Sequence, residues 1–322
     1  MRGVGRGLAI LVAIASLAVV ARLVLGGGGF GWPSAEAFPY RGLAAASGIG
    51  VGAALGLAGL FLQVLLRNPL ASPFILGLSG GASLGYVIAL YVAWRFGAEA
   101  SRGLGPVPAA TLGAIVSSAI VWRFGSRDGR LDPLTLVLAG AVMGAITGAA
   151  TMAVQSLVPG GVRGDLVTWL MGRVPEAPDR MLLGFLAVLV AASVVAGTVA
   201  GRALDVATLS DDEATSLGLP LGRLRAVLFL LACTLTATTV ALAGPIAFVG
   251  LVAPHAARIV LGARHAPLVA GSSLAGVALL VGADAARQAI DLGGGRLPVG
   301  VVTAGLGGVA FLVILRKARW NP

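Results

Sequence analysis

The sequence predicts an all-α membrane protein, a polytopic bundle of about ten transmembrane helices. Three observations point there. Only 11% of the 322 residues are charged against 57% hydrophobic, with mean hydropathy +0.96, whereas a soluble domain carries about 25% charged residues to cover its surface. Apolar runs of about 20 residues, enough for a helix to cross about 30 Å of hydrocarbon, recur along the whole chain. The 49 glycines fall repeatedly at intervals of four, a spacing at which helices approach closely in lipid. Helices are expected rather than strands because an open strand edge would leave backbone groups unpaired in the bilayer.

The first span, 8–29, follows Arg2 and Arg6. It exceeds the roughly 7–15-residue core of a secretory signal, and no small-x-small site ends it, so it reads as a retained first helix. A loop of Gly26–Gly29 with Pro33 and Pro39 follows. Span 42–66 is closed by Asn68-Pro69, then come 74–95 and 106–124, the latter closed by Ser126–Arg130. Span 133–158 stops at Pro159-Gly160-Gly161, and 181–201 leads into a polar loop. Span 224–243 is divided at Gly244-Pro245 from a short span, 247–261. The last two, 267–290 and 298–316, are separated by Gly293–Gly295. Ten spans put both termini on one face. If that face is cytoplasmic it holds 14 of the 23 basic residues, leaving 9 outside, which agrees with the positive-inside rule.

The glycine triplets Gly48, Gly52 and Gly56, Gly77, Gly81 and Gly85, and Gly140, Gly144 and Gly148 each give a helix a flat face. Helix packing accounts for them without a ligand.

The rest of the composition excludes chemistry. A net charge of +10 could suggest nucleic acid. The basic residues, however, sit singly or in small groups between apolar runs, and no basic face with stacking aromatics forms. Lys317 is the sole lysine, so there is no phosphate-binding loop, which needs Gly-Lys-Ser/Thr after a strand. His255 and His265 are ten residues apart and lack metal-ligand spacing, so they read as structural. Cys233, the single cysteine, lies in an apolar run and reads as a small hydrophobe. Asp284 is the notable acid within the spans, with Arg287 at i+3 as its expected ion-pair partner. No cofactor, metal site or catalytic cluster is expected. Transport powered by another polypeptide fits these gaps, and so does a passive pore.

The loop at about 205–225 is the most informative polar stretch. Ser210 with Glu213 three residues on is a capping-box spacing, and Asp211, Asp212 and Glu213 favour a helix N-terminus. Gly218 followed by Pro220 is a stop. A short helix over 211–218, outside the lipid, with a second turn running to Arg225, is one reading. A capped surface loop is the other.

The chain resembles the FecCD/BtuC-type permeases, the transmembrane subunits of ABC importers for iron-siderophores, haem and vitamin B12. The matching segments are Asn68–Gly77 with Gly80–Gly85, Trp169–Gly172, Leu209–Gly218, Gly244–Arg258, Ala283–Arg287 and Leu297–Thr303. They follow the family's order from about residue 40 to the C-terminus. The resemblance implies a BtuC-like fold, with 1–322 as one transmembrane permease domain in the bacterial cytoplasmic (inner) membrane. It implies a homodimer, two cytoplasmic ATP-binding subunits and a periplasmic or lipid-anchored substrate-binding protein, with no nucleic acid.

The resemblance also assigns roles. Asp211, Asp212, Glu213, Ala214, Leu217 and Gly218 would form the coupling helix seated on the ATPase, with Ser210 standing where the family usually has Gly. Asp132, Pro133, Leu134 and Thr135 would lie near the cytoplasmic gate. Arg41 is what remains of the family's Arg-Leu-Pro-Arg, here Phe38-Pro39-Tyr40-Arg41, and Arg296 replaces an acidic residue. Both would face the binding protein. The competing reading is a secondary transporter or passive channel not coupled to ATP, and a membrane enzyme is a third.

Overall fold

The computed structural model describes residues 2–26, 29–74, 76–97, 106–127, 130–290 and 296–317. The expected glycine-loop positions 27–28, 128–129 and 293–295, and Arg319, lie outside the described residues. Helices α1 (Arg2–Val24), α2 (Phe38–Leu65), α3 (Leu78–Phe96), α4 (Pro106–Phe124) and α5 (Pro133–Leu157) occupy the first five expected spans. Then come α6 (Gly160–Leu170), α7 (Arg180–Val199), α8 (Gly201–Ala207), α9 (Asp211–Ser216), α10 (Leu221–Ala243), α11 (Val249–Leu261), α12 (His265–Ala289) and α13 (Val299–Lys317). Seven of these are long and apolar enough to cross a membrane, namely α1, α2, α4, α5, α7, α10 and α12. α3, thinned in hydropathy by its Gly and Ser, and the shorter α11 and α13 fill the other three expected spans.

Two helices, α6 and α8, are additions to the sequence reading. α6, with 11 residues, is too short to span. α8 is a separate turn beyond α7. What reads as a second turn of the polar loop, ending at Arg225, is the first turn of α10. Two short antiparallel pairings also close the loops, Leu25 opposite Phe30 and Ser126 opposite Leu131.

The bundle is organised around α2, which is buried almost continuously from Ala44 to Leu65. α12, α10, α11 and α7 surround it, and α1 lies along α12. α3, α4 and α5 form a second group that joins the first through α10. α5 and α7 turn large apolar side chains outward, among them Leu138, Met152, Val188 and Val195, as lipid-facing helices do.

Glycine sets how close the helices come. A Cβ at Gly56 would lie 2.1 Å from the Ser272 carbonyl oxygen and one at Gly52 2.5 Å from that of Gly276, both on α12. The α3–α4 pair repeats this, with a Cβ at Gly85 lying 2.1 Å from the Ala109 carbonyl oxygen. In lipid no hydrophobic force pulls helices together, so this backbone proximity and its dispersion contacts do so instead.

At one end of α12 the expected Asp284–Arg287 pair is present, and Arg22 of α1 joins it. Arg22 and Asp284 are both 1% exposed, and Arg22 also lies 3.4 Å from Glu176. Two arginines around one buried carboxylate leave no acid uncompensated.

Gly56→Ala is expected to destabilise the bundle by about 1–3 kcal/mol through overpacking. Gly148→Ala, where nothing lies within 4 Å, should leave it unchanged. Thermal unfolding in detergent compares the two.

Candidate functional site

The polar loop folds into a short helix fixed at both ends. At its start, Ser210 Oγ accepts from the Glu213 amide at 3.3 Å, while the Glu213 carboxylate accepts from the Ser210 amide at 3.0 Å. That is the reciprocal capping box. At its end, Gly218 adopts φ +79°. The Leu219 amide bonds back to the Ala214 carbonyl at 3.1 Å and the Gly218 amide to that of Thr215 at 2.9 Å, a Schellman termination. The helix covers Asp211–Ser216, two residues shorter than the 211–218 expected from sequence, because Gly218 leaves the right-handed region.

Three contacts, two of them made by Asp211, hold this helix to the bundle. Asp211 accepts two hydrogen bonds from Arg225 of α10, at 2.9 and 2.8 Å. It also lies 2.6 Å from Arg67 Nη1. Arg67 stands just past the end of α2 at φ +47°, and its Nε donates to the Ala207 carbonyl of α8 at 3.0 Å. One carboxylate therefore ties together neighbouring ends of α2, α8, α9 and α10. The Arg225 hydrogen bonds, aided by the charges of Arg225 and Arg67, hold the Asp211 carboxyl below its usual range, against a smaller opposing effect of burial. Ser210 does the same for Glu213 through side-chain and backbone hydrogen bonds. The third anchor is Ala214, fully buried against the core.

Everything else on α9 points away. Asp212 and Glu213 are exposed, and Leu217 is 66% exposed. The result is a rigid turn with acidic and apolar side chains presented outward.

The other expected site residues are distributed as follows. Asp132 caps α5, accepting from the Thr135 amide at 2.8 Å and its hydroxyl at 2.6 Å, with Pro133 in the first turn and Leu134 exposed. This segment adjoins the α9 clamp, since Arg225 Nη1 also reaches the Leu131 carbonyl at 3.5 Å. Arg41 lies at the far end of α2 from Arg67. Its Nη1 donates to the carbonyls of Leu23, Val24 and Gly31 at 2.8, 3.1 and 3.3 Å, so its guanidinium caps α1 rather than standing free. Arg296 is exposed before α13. The clamp arginines were not singled out from sequence as partners of Asp211, because Arg67 is remote in the chain and its left-handed backbone has no residue signature. Two further contacts order the same end of the bundle. Asp205 accepts from the His265 amide at 2.9 Å, capping α12, and Arg258 Nη1 donates to Gln63 Oε1 at 2.5 Å.

Helices long and apolar enough to cross a membrane, with a short capped and anchored helix set between two of them, have the build of a membrane transport body. The chain belongs to the FecCD transport family, whose profile matches residues 8–317. It is 39% identical to the vitamin B12 import system permease protein BtuC of Vibrio cholerae, over 82% of this chain and 78% of that one. It is 33% identical to the hemin transport system permease protein HmuU of Yersinia pestis, over 84% and 79% respectively. A solved structure described as an inward-facing conformation of a metal-chelate type ABC transporter superposes with TM-score 0.83 at 25% identity, covering 98% of this chain and 99% of the other. The chain is therefore the multi-pass permease subunit of an ABC importer, and ATP hydrolysis resides in a different subunit.

Ser210→Ala should remove the cap and speed amide exchange at Ala214 to Leu219 by about fivefold. Exchange within α10 should not change. Hydrogen exchange followed by mass spectrometry reads both.

Proposed function

We propose that this subunit works as a homodimer in the bacterial cytoplasmic membrane with both termini inside, passing an iron-siderophore, haem or cobalamin inward by alternating access. Two ATPase subunits would sit on α9, and a substrate-binding protein would deliver cargo to the opposite face. The substrate class rests on the relatives, which are named for vitamin B12 and hemin.

The observation that carries the energetic part is the build of α9. A six-residue helix is marginal by itself, yet this one is capped at both ends, anchored by Ala214 and Asp211, and exposed elsewhere. Such order is useful when a partner pushes on it. Closure of the ATPase pair would press on α9, and the Asp211 clamp would pass that displacement to α2 and α10 together. Because α2 packs through glycine backbones on α12, the helices would tilt as rigid bodies between two packed states. Arg225 extends the same linkage to Leu131 and the proposed gate segment Asp132–Thr135.

Leu217→Glu and Glu213→Arg should reduce nucleotide-dependent uptake by about tenfold or more, as loss of an interface anchor does, with membrane levels of the protein unchanged. Full uptake in both variants would overturn the coupling role. For docking on the other face, Arg296→Glu is the informative change, since Arg41 also caps α1. It should weaken binding-protein association at low ionic strength, and the difference should shrink as salt rises. Equal association at low salt would remove Arg296 from the interface.

A further inference from the structure

A groove of about 700 Å³ opens where the start of α1, α8 and the start of α12 meet. Two arginines line it, Arg202 and Arg264, together with Asp205, Val4, Leu8 and Pro267. Close packing creates it: a Cβ at Gly201 would lie 2.5 Å from that of Ala266, so α8 backs directly onto α12 and both arginines open on one mouth. Arg202 and Arg264 are exposed, and neither has an ion-pair or hydrogen-bond partner among the described residues. The Asp205 carboxylate is turned to His265, 2.9 Å from its amide and 2.7 Å from Nδ1. Arg6 of α1 is not part of the lining, and Arg258 is engaged by Gln63.

Depth in the membrane decides what fits. Arg202 follows the end of span Arg180–Val199 by three residues, and Arg264 immediately precedes span His265–Ala289. Both guanidinium groups therefore lie at headgroup level. Apolar side chains continue the site into the bilayer. Val12, one turn beyond Leu8 on α1, is 48% exposed, and Val199 of α7 is 82% exposed. A cationic mouth at the interface above an apolar wall matches one ligand chemistry, a phosphodiester carrying acyl chains.

We infer that this groove binds an anionic phospholipid of the inner leaflet, its phosphate held between Arg202 and Arg264 and its chains laid along Leu8, Val12 and Val199. The site rests on the proposed orientation with the termini inside. A bound lipid would fill the space between α1 and the α8–α12 junction next to the α9 clamp, bracing the surface on which the ATPase acts.

Native mass spectrometry of the detergent-purified subunit, titrated with phosphatidylglycerol, phosphatidylcholine or inorganic phosphate, tests this. Phosphatidylglycerol should bind preferentially, and each of Arg202→Gln and Arg264→Gln should weaken it about fivefold. Arg202→Lys should lose less than Arg202→Gln, and Arg180→Gln at the opposite end of α7 should lose nothing. Equal binding of phosphatidylglycerol and phosphatidylcholine by the unaltered subunit would overturn the site even if a variant fails to fold. Phosphate binding equal to that of the lipid would reduce it to a simple anion site, and loss of ATPase association without loss of lipid in the arginine variants would assign the arginines to the ATPase instead. Cysteine at Leu217 reports orientation separately, since the native Cys233 is buried. Labelling by an impermeant maleimide from outside intact cells would defeat the orientation itself, while labelling from the inside with no lipid preference would defeat the lipid site alone.

Discussion

The contact of α2 with α12 through bare backbone is the constraint on which the other features depend. Water cannot drive helices together inside a bilayer, so association must come from surfaces that fit. Gly52 and Gly56 on one helix and Gly276 on the other remove the side chains that would hold the axes apart. This places α2 at the centre, and it fixes where its two ends emerge. One end carries Arg67 and through it the α9 clamp. The other carries Arg41, which caps α1.

Charge is placed in keeping with that frame. Among the described residues the ion pairs gather at the ends of the helices: Arg22, Glu176, Asp284 and Arg287 at one level, and Arg67, Asp205, His265, Asp211 and Arg225 at the other. Between them, several buried hydroxyls return their hydrogen bonds to the preceding turn of their own helix, as Thr151, Thr236 and Thr239 do. Such bonds satisfy polar groups without building a polar path. A body made this way suits movement of packed units against one another better than stepwise passage of a proton along side chains.

Local signals in the sequence carried much of this, and pairings distant in the chain carried the rest. Span lengths follow from hydrocarbon thickness, so the apolar runs locate nine helices to within a few residues, while α1 begins six residues earlier than expected, at Arg2, and ends at Val24 where the chain turns into the Leu25–Phe30 pairing. The division at Gly244-Pro245 is visible because that glycine and proline end α10 at Ala243. The capping box is visible because its two members are three residues apart. Arg22 with Asp284 is another matter, since 262 positions separate them and either alone resembles a residue at a helix end. α6 escapes because 11 residues with two leading glycines resemble a link more than a helix. Arg41 reads as a free docking charge because sequence records its type and not the three carbonyls it serves.

The protonation of Asp211 determines what kind of joint the clamp is. Its folded-state pKa is depressed, so the ion pairs contribute above the ordinary carboxylate pKa and are lost only as pH falls through the lowered value. Across the neutral range the carboxylate stays ionised and both arginines stay attached. The clamp is thus no pH switch in the neutral range, and under the proposed coupling a push on α9 would carry α2 and α10 with it. An element that came loose at each cycle would instead dissipate the displacement in the loop before it reached the glycine-packed pair at the centre.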